Sequence, residues 1–157
     1  MTRDELAQEL GQALQGYQRS VQAFDDTVGR RLGLGPADLR CLDWLVDGPR
    51  SAGQLSLATG LRPAATTALI DRLAKRGLVR RRRPDHDRRT VLVEMTEQGH
   101  ALTWECYGPL VRAGQPLIEE LSIEQLVFLR DYLGRLTALT DEHRELLAAE
   151  PTTNPAG

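Results

Sequence analysis

Residues 63–83 read PAATTALIDRLAKRGLVRRRR, and this stretch decides how the chain folds. Proline stands at the first helical position, and Ala65, Leu69 and Leu73 recur every four residues, which predicts an amphipathic helix. Gly77 follows two basic residues and predicts the end of that helix. Beyond the glycine the helical period is lost and four consecutive arginines follow. The stretch therefore predicts a helix that passes through a tight turn into an exposed, basic β-strand.

The residues that follow complete a hairpin. The sequence PDHD at residues 84–87 predicts a turn. Residues 90–95 then alternate, with Val91, Val93 and Met95 on one face, as expected of a half-buried strand. We therefore predict a two-stranded hairpin with an exposed and basic tip.

A short helix precedes this helix and hairpin. Ser51 and Gln54 form a capping box that opens it, and Gly60 ends it. The second helix of such a pair fits the DNA major groove, and the hairpin then reaches the neighbouring backbone or minor groove. Small and hydroxylated side chains early in the second helix suit base edges, whereas the later basic ones, including Arg76, suit phosphates. The expected DNA-binding residues are Arg62, Pro63, Ala64, Thr66, Thr67, Arg72, Lys75, Arg88 and Arg89.

Positive charge is concentrated in the same part of the chain. Residues 62–89 carry a net charge of +7, whereas the rest of the chain carries −9 and the whole chain −2. Such polarity is typical of a polyanion-binding patch on an acidic body. A solvated run of charges is the alternative interpretation, but the predicted helices and hairpin favour DNA as the partner.

The composition excludes several classes of protein. The chain has 157 residues, 41% apolar and 27% charged, as is typical of one folded domain. No apolar stretch reaches the roughly 18 residues of a membrane span, and the polar N terminus does not resemble a signal peptide. We therefore expect a cytoplasmic protein with no membrane partner. Aromatic residues, at 4%, are too scarce for a base-stacking surface that binds RNA.

Long helices are predicted on both sides of the basic segment. The first, residues 4–32, and the last, residues 122–149, each carry a narrow apolar stripe that one lobe cannot cover, which predicts pairing with a second copy. Pro109 and Pro116 should kink or break the helix that follows the hairpin. The expected parts are an N-terminal dimerisation helix (1–35), a winged helix-turn-helix lobe (36–96), C-terminal helices completing the dimerisation region (97–149) and a flexible tail (150–157).

Two motifs resemble a known family. ATTALIDRLAKRGLVRR at residues 65–81 resembles the recognition-helix signature of MarR-family transcriptional regulators. DHDRR at residues 85–89, followed by VLVEMTEQG at residues 91–99, resembles the wing of that family. The resemblance implies a mainly α fold with a small β-hairpin wing, in which a winged helix-turn-helix is embedded in an all-helical homodimer. It also implies a repressor that binds palindromic operator DNA and is released by small phenolic or other apolar ligands, or by oxidation.

The resemblance assigns roles to single residues. Thr67 matches a threonine of the recognition helix that contacts DNA, and Arg72 matches an arginine that contacts the DNA backbone. Asp87 and Arg89 match the Asp-x-Arg of the wing, in which the aspartate is structural and the arginine reaches the minor groove.

Effectors of the family bind in a crevice between the DNA-binding lobe and the dimer arms. Tyr17, Trp44 and Trp104, together with Tyr107, are aromatic residues that could line such a crevice. They are equally suitable as core residues, and the sequence does not choose between these two interpretations.

The cysteines raise the alternative of a redox-sensing regulator. Relatives that sense peroxide carry a cysteine in the first helix, where this chain has none. Cys41 and Cys106 lie among apolar residues without a second cysteine nearby, which favours inert thiols that pack as small hydrophobic groups.

The sequence shows no set of residues suited to catalysis. His86, His100 and His143 are isolated from other metal-ligating residues, so we predict no metal site and no cofactor. No nucleophile is paired with a base, and we expect the chain not to be an enzyme. From another functional class, the alternative is a winged-helix module for protein interaction or for non-specific nucleic-acid association.

Overall fold

A computed structural model of the protein describes residues 1–149. Its elements are, in chain order, α1 (Arg3–Leu32), α2 (Pro36–Val46), β1 (Arg50–Ser51), α3 (Ala52–Thr59), α4 (Pro63–Lys75), β2 (Val79–Arg82), β3 (Leu92–Met95), α5 (Glu97–Glu119) and α6 (Ile123–Ala149). The predicted fold class, mainly α with a small β-hairpin wing, is confirmed. The flexible tail predicted for residues 150–157 lies outside the described residues.

Local capping defines the two short helices in the middle of the chain. The Ser51 hydroxyl accepts a hydrogen bond from the backbone N–H of Gln54 at 3.2 Å, while the Gln54 side chain accepts one from the Ser51 N–H at 2.9 Å. This capping box starts α3. Gly60 ends α3 at φ 70°, a left-handed conformation that glycine adopts without a steric penalty. Residues 60–62 alone separate α3 from α4, which begins at Pro63.

The sheet has one strand more than the sequence predicted. Its order is β1-β3-β2, and all pairs are antiparallel. The predicted hairpin forms from β2 and β3, with Val79 opposite Met95 and Arg82 opposite Leu92. Strand β1 adds to the free edge of β3, where Arg50 lies opposite Val93. Two residues are too few for an alternating pattern, so no sequence signal could have predicted β1.

Helix α4 packs on the lobe through a face that starts one residue later than expected. Its buried side chains are Thr66, Leu69, Ile70 and Leu73, each at most 1% exposed. The predicted burial of Ala65 is wrong, because Ala65 is exposed. A helix turns about 100° per residue and therefore keeps positions i, i+3, i+4 and i+7 on one face. Thr66 tolerates burial because its hydroxyl donates a hydrogen bond to the Arg62 carbonyl at 3.1 Å.

The prediction that two prolines break helix α5 is wrong. It runs without interruption from Glu97 to Glu119 and contains Pro109 and Pro116. A proline inside a helix deprives the carbonyl four residues earlier of its partner. Those carbonyls belong to Glu105 and Arg112, which are both exposed, so that water can supply the missing hydrogen bonds.

The contacts within the chain divide it into two compact units. The first comprises Met1–Gly108 and contains the winged helix-turn-helix, whereas the second begins at Pro109 and contains α6. None of the helices within residues 1–149 is long and apolar enough to span a membrane.

Candidate nucleic-acid interface

The start of α4 presents small side chains to solvent. Pro63, Ala64, Thr67 and the capping residue Arg62 are exposed, and the Thr67 hydroxyl donates a hydrogen bond to the Pro63 carbonyl at 3.0 Å. The assignment of Thr66 to this surface is wrong, because Thr66 is 1% exposed and belongs to the buried face. The exposed surface of α4 is therefore narrower than the sequence suggested.

Arg72 joins α4 to the start of α2. One Nη of Arg72 lies 2.5 Å from Oδ1 of Asp38, a residue that is only 6% exposed. The other carboxylate oxygen of Asp38 accepts the backbone N–H of Gly35 at 2.9 Å, directly before α2. The Arg72 side chain remains 55% exposed, so part of the guanidinium group is open to solvent. This ion pair fixes the position of α4 relative to α2 and leaves surface for a phosphate.

Arg76 has a structural role that the sequence did not indicate. Its guanidinium group donates hydrogen bonds to the carbonyls of Leu32 at 2.7 Å and Gly33 at 2.8 Å, where α1 ends. Unpaired carbonyls carry partial negative charge at the end of a helix, and an arginine there satisfies them. Arg76 was expected near phosphates; in the structure it connects α4 to α1.

Three arginines of the basic strand form ion pairs with two carboxylates within the lobe. Arg80 lies 2.6 Å from a carboxylate oxygen of Glu94 on the neighbouring strand, and Arg82 lies 3.7 Å from the other oxygen. Arg81 pairs with Asp71 of α4 at 2.7 Å. Within residues 62–89, and apart from Arg76, the exposed lysine and arginine side chains that form no ion pair with another of residues 1–149 are Arg62, Lys75, Arg83, Arg88 and Arg89.

Asp87 holds the turn of the wing, the hairpin segment at residues 83–91. Its carboxylate accepts the backbone N–H of Arg89 at 2.9 Å and the hydroxyl of Thr90 at 2.6 Å. These hydrogen bonds, the one from Thr90 first, keep the pKa of the Asp87 carboxyl below its ordinary value. The carboxylate organises the backbone while the side chains of Arg88 and Arg89 remain exposed at the tip.

A cavity of about 1060 Å³ lies beside the DNA-binding lobe, between α1, α2 and α5. Trp104 and Tyr107 line it, whereas the other two aromatic residues expected there do not. Tyr17 is 71% exposed on α1, and Trp44 is 38% exposed on α2. Neither residue is part of the cavity lining.

Tyr107 fastens α5 to α1 at the wall of this cavity. Its hydroxyl donates a hydrogen bond to Oδ1 of Asp25 at 2.7 Å, and its ring packs edge-on against Phe24 with 5.5 Å between ring centroids. Burial, and then the Asp25 carboxylate, raise the pKa of the Tyr107 hydroxyl above its ordinary value. The hydroxyl therefore remains a donor at neutral pH.

Three carboxylates line the same cavity, namely those of Asp25, Asp26 and Asp43. The pKa of the Asp43 carboxyl lies above its ordinary value, first because of partial burial and then because of the negative charges on Asp25 and Asp47. The cavity wall thus holds like charges near one another.

Cys41 is fully buried, and burial followed by the charge of Asp38 raises the pKa of its thiol to about 12. The reactive thiolate is therefore scarce at neutral pH. Cys106 is half-buried. Within residues 1–149, no three His, Cys, Asp or Glu side chains are grouped in a way that could hold a metal ion.

Comparisons with known proteins agree with one another. The profile of the MarR family matches residues 32–90. The uncharacterized HTH-type transcriptional regulator YcgE of Bacillus subtilis is 31% identical over 147 residues, which cover 93% of this chain and 96% of YcgE. The crystal structure of the transcriptional regulator BldR from Sulfolobus solfataricus is 30% identical with a TM-score of 0.55, and the match covers 86% of this chain and 99% of BldR. The structure of NadR in complex with 4-hydroxyphenylacetate has a TM-score of 0.60 at 23% identity, over 79% of this chain and 88% of NadR.

Partial burial and the neighbouring negative charges raise the pKa of the Asp43 carboxyl, which predicts a gain in stability when its charge is removed. A carboxyl whose pKa is higher in the folded state destabilises the fold once it is ionised, and this cost disappears as the pH falls below the pKa of the unfolded chain. Asp43→Asn should therefore raise the free energy of unfolding at pH 7, by less than about 1 kcal/mol because solvent screens the exposed part of the carboxylate.

Urea denaturation at pH 7 and about pH 3 measures the effect, since ordinary carboxyl groups are largely protonated at the lower pH. The gain should be present at pH 7 and absent at the lower value. Asp85→Asn in the wing turn is the matched control, because it removes the same charge from an exposed site. A lower free energy of unfolding for Asp43→Asn at pH 7 would contradict the account.

Proposed function

The chain belongs to the MarR family of transcriptional regulators, and on that basis we propose that it is a cytoplasmic, homodimeric repressor that binds palindromic operator DNA and is released by a small-molecule effector. The observation that carries the proposal is the division of the basic residues into two groups. Those that pair inside the lobe hold its shape, whereas Arg62, Lys75, Arg88 and Arg89 are exposed, form no ion pair within residues 1–149 and are available to phosphates.

Helix α4 serves as the recognition helix in this proposal. Its exposed first turns carry Ala64 and Thr67, whose short side chains let the backbone approach base edges and thymine methyl groups in the major groove. The open part of the Arg72 guanidinium group, with Lys75, faces the phosphates that border the groove. The wing places Arg89 in the adjacent minor groove and Arg88 on the backbone.

Exposed apolar side chains support the homodimer. Helix α6 buries none of its residues within the single chain. Large apolar side chains exposed on α1 and α6 include Leu6, Leu10, Val21, Leu126, Phe128, Leu129, Leu133 and Leu139. Large apolar side chains exposed in such numbers on a helix mark an interface, and two copies of the same helix can form a self-complementary two-fold contact. The two recognition helices would then match successive major grooves, about 34 Å apart.

The contacts of α4 support control by an effector. Residues 33–35, which connect α1 to α2, line the cavity and also contact the side chains that hold the recognition helix. Arg76 donates to the carbonyl of Gly33, and Arg72 pairs with Asp38, which accepts the N–H of Gly35. An occupant that displaces this connection also displaces the contacts that position α4. Release from DNA follows if the recognition helices of the two protomers no longer match the spacing of the grooves.

One prediction distinguishes the contribution of the wing to DNA binding from that of the recognition helix. Arg89→Ala should weaken binding to specific and non-specific DNA alike and lower the salt slope by about one unit, because one contact that releases counterions is lost. The wing turn should persist, since Arg89 supplies only its backbone N–H to Asp87. Thr67→Ala should keep the salt slope and cost about 1–3 kcal/mol on the cognate sequence alone.

Titrations at several salt concentrations test this prediction, with a duplex selected by the protein from a random-sequence pool and with a scrambled duplex. Arg3→Ala is the matched control because it removes an exposed arginine at the start of α1, outside the proposed interface. Full affinity and full salt slope for Arg89→Ala would contradict the placement of the wing on DNA. Equal affinity of the wild type for both duplexes would favour a non-specific nucleic-acid-binding module instead.

Another prediction concerns the oligomeric state. The wild type should sediment as a dimer at micromolar concentration, and the double variant Leu129→Glu with Leu133→Glu should sediment as a monomer, because charged groups on α6 would be buried without partners. Leu57→Glu is the control, since Leu57 is 76% exposed on α3 and lies outside the proposed dimer surface. A wild type that is monomeric and still binds the selected duplex would contradict the homodimer.

A further inference from the structure

The lining of the cavity between α1, α2 and α5 carries more negative than positive side chains, three aspartates and two arginines. Its lining carboxylates, those of Asp25, Asp26 and Asp43, form no ion pair with another of residues 1–149. Two arginines also line the cavity, and their guanidinium groups form hydrogen bonds with uncharged oxygens. Arg30 donates to the Thr27 hydroxyl at 2.9 Å, and Arg40 lies 3.4 Å from the Thr59 carbonyl. Both arginines keep their positive charge, but the aspartates outnumber them, so the lining as a whole is negative.

Two of these charges converge beside Tyr107. Asp25 accepts the Tyr107 hydroxyl at 2.7 Å, which places its carboxylate at the cavity wall. Asp43 is near enough to Asp25 that the charge of Asp25 raises the pKa of the Asp43 carboxyl, and both charges raise the pKa of the Tyr107 hydroxyl. A positive charge placed between the two carboxylates would relieve this repulsion.

The remaining lining suits the body of an organic molecule. Trp104 and Tyr107 contribute aromatic rings, and Val21, Leu39 and Val46 contribute apolar side chains. Aromatic faces attract cations through the negative potential of the ring, most strongly where water is excluded. The volume of about 1060 Å³ is sufficient for a drug-sized ligand. Carboxylates and aromatic rings in one apolar cavity are complementary to a large cation of low hydration.

We propose that this cavity binds a lipophilic organic cation, such as an aromatic phosphonium or quaternary ammonium compound. The charge lies near the carboxylates of Asp25 and Asp43, and the apolar groups lie against Trp104 and Tyr107. The inference names the chemical class of the effector and rests on the effector control proposed above. An anion such as 4-hydroxyphenylacetate, the ligand in the NadR structure, would add a further negative charge to the same wall.

Two ions of nearly the same size and shape but opposite charge provide the test. Calorimetric titration of the full-length protein with tetraphenylphosphonium and with tetraphenylborate gives two affinities that differ only through the charge of the ion. The cation should bind more tightly by about tenfold or more, a ratio that corresponds to about 1.4 kcal/mol. The double variant Asp25→Asn with Asp43→Asn should lose at least about tenfold in affinity for the cation. Asparagine at residue 25 can still accept the Tyr107 hydroxyl, so the wall should keep its shape.

The matched control is Asp4→Asn with Asp85→Asn, which changes the net charge equally at exposed sites away from the cavity. It should keep the affinity of the wild type for the cation. Equal binding of both ions, tighter binding of tetraphenylborate, or an equal loss in the control would overturn the inference. Circular dichroism shows whether the cavity variant is folded. If it is not, the inference is tested by the ratio of the wild-type affinities for tetraphenylphosphonium and tetraphenylborate.

A second readout separates this inference from the proposed function. Release of the selected duplex by tetraphenylphosphonium would support both the cation class and effector control. Binding of the cation without release would support the cation class and contradict effector control. Release of the duplex by tetraphenylborate, but not by the phosphonium, would support effector control and overturn the cation class.

Discussion

The geometry of the DNA-binding lobe depends on two contacts of the buried Asp38 carboxylate. It accepts the N–H of Gly35 at the start of α2 and pairs with Arg72 in the middle of α4. A carboxylate with 6% exposure is costly to bury unless its oxygens are satisfied, so the two partners are required together. Because Arg72 belongs to α4 and Gly35 lines the cavity, one side chain connects the proposed surface for DNA with the cavity proposed for an effector.

The arginines of residues 62–89 divide into those that bond within the lobe and those that the proposal assigns to DNA. Arg80, Arg81 and Arg82 pair with acidic residues on the neighbouring strand and on α4, which removes most of their charge from the surface potential. Arg88 and Arg89 stay exposed because Asp87 uses its oxygens on the backbone N–H of Arg89 and on Thr90. Consequently, the net charge of the segment overstates the charge that phosphates would meet.

The features that follow from local rules could be predicted from the sequence, and those that depend on distant residues could not. The capping box at Ser51, the glycine that ends α3 and the β2–β3 hairpin are local, and all are confirmed. Pairing of Arg76 with the end of α1 joins residues more than forty positions apart, and no local pattern indicates it. Thr66 was placed on the wrong face because its polarity suggested exposure, whereas a hydrogen bond within its own helix satisfies the hydroxyl. The DNA contacts and the dimer stay predictions.

Hydroxyl-radical footprinting of the wild type on a genomic fragment that it binds tests the central claim most directly. A homodimer that reads DNA with α4 and the wing predicts two protected half-sites related by two-fold symmetry. Their centres should lie about 34 Å apart, one turn of the duplex, with minor-groove protection next to each half-site where the wing tips lie. Protection of a single half-site, or uniform protection without symmetry, would contradict the account.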